Sequence, residues 1–171
     1  MLTGGVALDV MGRNNELVGC MAIAPSSCTN ERIINSIAAW RVSGLPPMYK
    51  GKEGKAKYGP SSRQRLRKLQ TLIGLRNEHM KDTNKWIYLQ AIGVHPPDHH
   101  GKGYGKKMLQ LLNETADSLN VPIYLETDSP KNVLIYKHFG YATVEALTMS
   151  VPGDTSSTAN LKAYLMRRNP K

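Results

Sequence analysis

The stretch VHPPDHHGKGYGKKML, Val94–Leu109, carries three glycines at alternate positions, Gly101, Gly103 and Gly105, between an apolar β-rich run and a helix-patterned one. A glycine-rich turn opening a helix leaves backbone N–H groups unpaired at the positive end of the helix dipole, which suits phosphate oxygens. Glycine serves there because a Cβ holds an anion away from the amides and because positive φ costs it nothing. An ordinary flexible turn uses the same residues. Two known phosphate patterns do not fit. A P-loop needs a Gly-Lys-Ser/Thr group where Lys106-Lys107 stand, and the dinucleotide fingerprint needs its third glycine at Lys106 and an acid within SLNVP, Ser118–Pro122, which has none.

Working outward, KWIYLQAIGV (Lys85–Val94) is rich in aromatic and β-branched residues and ends at His95-Pro96-Pro97, so it reads as a central strand. From Lys102 to Leu119, the residues Met108, Leu109, Leu111, Leu112, Thr115, Ala116 and Leu119 trace one helical face. PIYLET (Pro122–Thr127) is a short strand, after which Ser129 caps and Pro130 begins a helix through Phe139 that Gly140 stops. YATVEALTMS and LKAYLMRR form the last two strands. Toward the N-terminus, GVALDV and ELVGCMAIAP flank a turn containing Gly12, Asn14 and Asn15 and form a hairpin. Thr29–Gly44 is spaced as a helix, a Gly/Pro/Lys loop follows, and Ser61 to Gln64 has capping-box spacing before an amphipathic helix. That helix is expected to bury Leu66, Leu69, Leu72, Ile73 and Met80 and to turn Arg63, Arg65, Arg67 and Lys68 outward.

A chain of 171 residues, 40% hydrophobic and 21% charged, is expected to fold as a single domain over 1–171. Its longest apolar run, Leu17–Pro25, is far below the roughly 20 residues of a bilayer span, so no membrane partner is expected. The start MLTGGVALDV has no basic leader region and carries Asp9 in its apolar stretch, so it does not read as a signal peptide, and an intracellular, cytoplasmic protein is expected. Cys20 and Cys28 make no disulfide framework, and Asp98, His99 and His100 have no companions at metal-ligand spacing, so no metal is expected. Between Arg41 and Lys81 stand eleven Lys/Arg against two Glu, nearly all of the net charge of +10. Such a region could attract nucleic acid, an acidic protein or a phosphate-rich cofactor, or simply be a solvated face.

VHPPDHHGKGYGKKML resembles motif A of the GNAT superfamily of acyl-CoA-dependent N-acyltransferases, Gln/Arg-x-x-Gly-x-Gly/Ala after a strand ending Val-x-Pro, with His100, Gly103 and Gly105 at the matching positions. YLETDSPKNVLIYKHFGYATV resembles motif B, with Asn132, Ile135, Tyr136, Gly140 and Tyr141 in place. Together with Trp86 the two segments look most like the branch containing puromycin N-acetyltransferase and similar small-molecule acetyltransferases. The resemblance implies an α/β (α+β) fold: a mixed, mostly antiparallel sheet splayed between its fourth and fifth strands and flanked by helices. The family's first strand and two helices are expected to be shortened here, since the chain starts almost at the hairpin.

The resemblance also implies acetyl-CoA as cosubstrate and a primary amine as acceptor. A protein or peptide amine is the enzymatic alternative, and a catalytically inactive module binding CoA or a polyanion is the alternative of another class. Backbone groups of Ile92, Gly93, Val94 and His95 would align the pantetheine and polarise the thioester. His100, Gly101, Lys102, Gly103, Tyr104, Gly105 and Lys106 would surround the pyrophosphate, and Asn132 would contact the cofactor or brace the splayed strands. Tyr136 matches the family tyrosine that protonates the departing sulfur. The acceptor ammonium, with a pKa near 10, must lose a proton. The central strand offers Trp86, Tyr88 and Gln90 but no carboxylate. Glu126 on the next strand is the nearest base, with a structural role for Glu126, His79 as base, or a water chain as alternatives.

Overall fold

The computed structural model describes residues 5–12, 14–29, 62–95, 101–150 and 160–171. The helix expected within Thr29–Gly44, the loop after it, Ser61 of the capping box and Pro96–His100 lie outside the described residues, as does most of the basic 41–81 region.

The hairpin forms as expected: β1 (Val6–Met11) and β2 (Leu17–Pro25) pair antiparallel. Asn15 turns the chain at φ 61°, and the Asn14 and Gly12 amides donate to the Glu16 side-chain and backbone oxygens at 2.9 and 2.8 Å. There follow α1 (Ser26–Thr29), α2 (Ser62–His79), β3 (Ile87–Val94), α3 (Tyr104–Ser118), β4 (Ile123–Thr127), α4 (Pro130–His138), β5 (Ala142–Ser150) and β6 (Asn160–Arg168). The sheet order is β1-β2-β3-β4-β6-β5. Every neighbouring pair is antiparallel except β3 and β4, which run parallel because α3 carries the chain back across the sheet. The mixed, mostly antiparallel sheet with helices on both faces is therefore present.

Alternation along the strands sorts the core into two layers. Ile87, Leu89, Ile123, Leu125 and Met166 face α3 and α4, where they meet Met108, Leu109, Leu112, Ala116, Val133 and Tyr136. Trp86, Tyr124, Met149 and Leu165 face the other way, against Met80, Leu72 and Leu75 of α2 and the turn after it. Four residues expected in these stripes are exposed instead: Leu111, Thr115 and Ile73 lie on the flanks of their helices, and Leu119 caps α3 just past its last turn.

Two consecutive arginines at the end of β6 fasten both layers. Arg167 makes a two-point pair with Asp82 beyond α2 at 2.8 and 2.9 Å and donates to the His79 carbonyl at 3.0 Å. Arg168, pointing to the opposite face, makes a two-point pair with Asp117 of α3 at 2.8 and 2.7 Å. Because these pairs fix the ends of α2 and α3 over the sheet, they set where the rest of each helix lies.

Candidate active site

Parallel pairing of β3 and β4 involves Ile87 with Ile123 and Tyr88 with Tyr124. Beyond that point the two strands separate, and the β4-facing edge of Leu89–Val94 has no ladder partner among the described residues. β2 continues to pair with β3 as far as Val94, so this edge is held straight while remaining open. The register with β2 slips at Gln90, where Ala22 opposes Ala91 and Ile23 opposes Leu89. This extra residue reverses the alternation. Ile92 and Val94, rather than Ala91 and Gly93, thereby join the α3 and α4 side.

The resulting groove, of about 330 Å³, is lined by Ile92, Gly93 and Val94 on β3, Gly105 and Lys106 on α3, and Asn132 and Tyr136 on α4, among others. Gly101 and Gly103 take positive φ, 76° and 81°, with open space where a Cβ would stand. Backbone conformation, not crowding, is what makes glycine suitable at both. Gly103 is the N-cap of α3 and has no side chain to satisfy the first amides. Its carbonyl accepts from Lys107 at 3.0 Å, so the amides of Gly105 and Lys106 are among the first-turn N–H groups that no intrahelical carbonyl can reach. At Gly105 φ is not positive, and an added Cβ would lie 3.7 Å from Val94 Cγ2, inside the groove. The lysines 102, 106 and 107 are exposed around this opening, and Tyr104 is half-buried.

α4 is placed by its cap and by α3. Ser129 Oγ accepts from the Asn132 amide, and Asn132 Nδ2 donates to Thr127 Oγ1 at 3.3 Å, joining the start of α4 to the end of β4. This bond reaches β4 alone and does not span the two separating strands. At the other end, Tyr141 donates to Asn113 Oδ1 and Asn113 Nδ2 donates to the Phe139 carbonyl, each at 3.1 Å, while Gly140 at φ 89° ends the helix. Tyr136 is nearly buried between these anchors, its ring edge-on to Tyr141 at 5.6 Å. Burial raises the Tyr136 phenol above its ordinary value, which keeps it protonated and able to donate near neutral pH.

Glu126 lies across the sheet from this groove. It shares the alternation of Tyr124, on the α2 face, and accepts a hydrogen bond from Tyr88 at 2.5 Å through Oε2. Burial raises the Glu126 carboxyl, and the Tyr88 hydrogen bond, the Arg76 charge and the neighbouring Tyr124 hydroxyl oppose that rise. Tyr88 is raised well above the usual phenol range, by burial and by the Glu126 charge. Arg76, 6% exposed, stacks on Tyr88 at 4.5 Å and on Trp86 at 6.0 Å from the ring centres.

Of the residues expected at the site, Ile92, Gly93, Val94, Gly105, Lys106, Asn132 and Tyr136 meet in one groove. Gly101, Lys102, Gly103 and Tyr104 form its approach. His95 is exposed at the end of the strand, its amide donating to the Val18 carbonyl at 2.8 Å, and His100 lies outside the described residues. His79 does not face the open edge: its Nε2 is 2.7 Å from Glu145 Oε2 of β5, which ties the end of α2 to a different strand. Cys20 is exposed on β2. Sequence reasoning missed Arg76 and the role of Tyr88 as the partner of Glu126. The signal for Arg76 was present, since Leu72, Arg76 and Met80 recur every four residues and so share a stripe. A larger hollow of about 800 Å³ under Pro25, Trp86 and Leu119 contains none of the expected site residues.

Residues 63–141 match the family model described as the acetyltransferase (GNAT) family. An uncharacterized N-acetyltransferase of Schizosaccharomyces pombe is 33% identical over 91 residues, 53% of this chain and 34% of that protein. The chain thus matches only about a third of the length of this curated relative. Among solved structures, arylalkylamine N-acetyltransferase 2 of Aedes aegypti aligns with a TM-score of 0.63 at 13% identity, covering 96% of this chain and 73% of that one. The Drosophila melanogaster polyamine N-acetyltransferase aligns with 0.61 at 12% identity, covering 95% and 74%. At these identities the likeness is one of fold.

Proposed function

We propose that the chain, whose residues 63–141 match the acetyltransferase (GNAT) family model, transfers the acetyl group of acetyl-CoA to a primary amine of a small molecule. The observation that carries this reading is the open edge of β3 beside the amide-rich start of α3, with Tyr136 in the same groove. The groove fits the cosubstrate on its own chemistry: the first-turn amides suit an anion, Gly105 leaves room for it, and Lys102 and Lys106 screen its charge. When bound, acetyl-CoA supplies an activated thioester.

The residues then divide the work between the two faces of the sheet. On the α3 and α4 side, backbone groups of Ile92 to Val94 align the pantetheine and polarise the carbonyl. On the α2 side, Glu126 takes a proton from the amine as its nitrogen bonds to the carbonyl carbon. As the carbon–sulfur bond breaks, Tyr136 gives its phenolic proton to the sulfur and regains one from solvent. The whole of residues 1–171 serves as one N-acetyltransferase domain in this reading.

The small-molecule acceptor is supported by the kind of amines named in the structural neighbours, an arylalkylamine enzyme and a polyamine enzyme. Thiol release from acetyl-CoA, measured against a panel of arylalkylamines, polyamines and peptide amines, tests the proposal. The expected result is amine-dependent thiol release and a product heavier by about 42 Da, one acetyl group. Release with peptide amines alone replaces the acceptor class. Salt-sensitive polyanion binding without amine-dependent release replaces the enzyme with a binding module.

A further inference from the structure

The cluster Arg76, Tyr88, Glu126 is more than packing of one charge pair in a core. Arg76 sits on the buried stripe of α2, where an ionised guanidinium is costly unless a counter-charge lies close. Its guanidinium carbon lies 4.5 Å from the centre of the Tyr88 ring, and the hydroxyl of that same ring donates to Glu126 Oε2. One aromatic side chain therefore touches both charged partners and fixes their separation. Glu126 is half-buried, so it remains within reach of a molecule entering from the α2 side. Tyr88 holds the carboxylate through Oε2.

We infer that Arg76 and Tyr88 are positioning residues for Glu126: the Tyr88 hydroxyl orients the carboxylate through Oε2, the Arg76 charge keeps it ionised, and the half-buried carboxylate is presented to the acceptor amine. This deepens the proposed reaction and rests on Glu126 acting as its base. The groups that face Glu126 can be named element by element among the described residues. Tyr88 comes from β3, Tyr124 from β4 itself and Arg76 from α2, while β6 sets the apolar Leu165 opposite it in register. Burial alone drives the carboxyl toward its neutral form, in which it cannot accept a proton. The Tyr88 hydroxyl and the Arg76 charge, with a smaller share from the Tyr124 hydroxyl, are the influences that restore the anion.

The test follows the carboxyl directly and does not depend on knowing the acceptor. In protein labelled with 13C at the glutamate carboxyl, the Glu126 resonance is identified by its absence in Glu126→Gln and titrated with pH. Tyr88→Phe keeps the ring beneath Arg76 and removes only the hydroxyl; Arg76→Met removes the charge, and Arg76→Lys restores it. Both Tyr88→Phe and Arg76→Met are expected to move the Glu126 midpoint to higher pH, by about one pH unit for the loss of the charge. Arg76→Lys is expected to return it close to the parent value. A midpoint that stays in place in Tyr88→Phe, or in Arg76→Met (in Arg76→Gln where Arg76→Met does not fold), overturns the inference. The acid limb of kcat/KM should move with the resonance, so that activity just below the midpoint falls about tenfold for every pH unit by which the midpoint rises. A resonance that moves while the activity profile does not, or an active Glu126→Gln protein, refutes Glu126 as base and leaves the electrostatic coupling standing, so the two failures are told apart.

Discussion

Gly105→Ala should strengthen the fold and weaken the cosubstrate at once, because the two effects arise from different neighbours of the same Cβ. Gly105 lies in the first turn of α3 without positive φ, and the added methyl meets only Val94 Cγ2 at 3.7 Å, an ordinary contact. Alanine loses less conformational freedom than glycine on folding, about 0.5–1 kcal/mol within a helix. For a chain of this size that raises the melting temperature by about 1–4 °C. The same methyl projects into the groove beside the first-turn amides. Displacing an anion from one such amide forfeits a charge-assisted hydrogen bond of about 1.5–3 kcal/mol, which is about ten- to a hundredfold in Kd for acetyl-CoA. Gly103→Ala is the control: at φ 81° a side chain costs about 1–2 kcal/mol of backbone strain, so the melting temperature should fall. Thermal melts without ligand and calorimetric titration with acetyl-CoA give both quantities. A Gly105→Ala protein that melts higher yet binds acetyl-CoA as tightly as the parent removes the start of α3 from the cofactor site.

Three further outcomes are expected. Tyr136→Phe keeps the ring against Tyr141 and removes the proton donor, so kcat should drop about a hundredfold with a much smaller change in KM for acetyl-CoA; steady-state kinetics showing an unchanged kcat excludes the acid role. Arg168 and the Lys171 amide hold the Asp117 carboxyl at about 2. Since this folded-state value lies below the unfolded one of about 3.9, the stabilisation is complete above that value and is lost as pH falls through the interval toward about 2. Urea midpoints across this range should fall steeply for the parent and more gently for Asp117→Asn, and parallel curves contradict the assignment. Leu112→Ala empties a position only 2% exposed under the sheet and should cost about 2–5 kcal/mol, read as a lower urea midpoint with an unchanged slope.

Division of the candidate site between two faces of one sheet gives these variants distinct signatures. Changes at Gly105 or Tyr136 act on the α3 and α4 side, where the groove lies, whereas changes at Glu126, Tyr88 or Arg76 act on the α2 side. The gap between β3 and β4 is the place where the two sides can communicate, because the ladder there closes for two residue pairs only.

Apart from the short α1, the order and type of the described elements were legible in the sequence because each depends on neighbours a few residues away. Alternating β-branched and aromatic residues made β3, Ser129 before Pro130 started α4, and the glycines at 101, 103 and 140 provided the positive φ needed at their turns. The groove residues Val94, Gly105 and Tyr136 were likewise recognisable from local motifs. What folding decided was everything that depends on partners distant in the chain. The slip at Gln90 arises from pairing with β2 some 70 residues earlier, and it alone determines that Ile92 and Val94 turn toward the groove. Separation of β3 from β4 depends on β4 pairing along its whole length with β6, which draws it away from β3 past Tyr124. Arg76 reaches Tyr88 and Glu126 only because α2 is packed on that face. Its charge made it resemble the other basic residues of its segment, but its spacing with Leu72 and Met80 placed it inside. Composition records how many charges a segment has; which of them is buried, and beside which carboxylate, is set by the packing of one face against another.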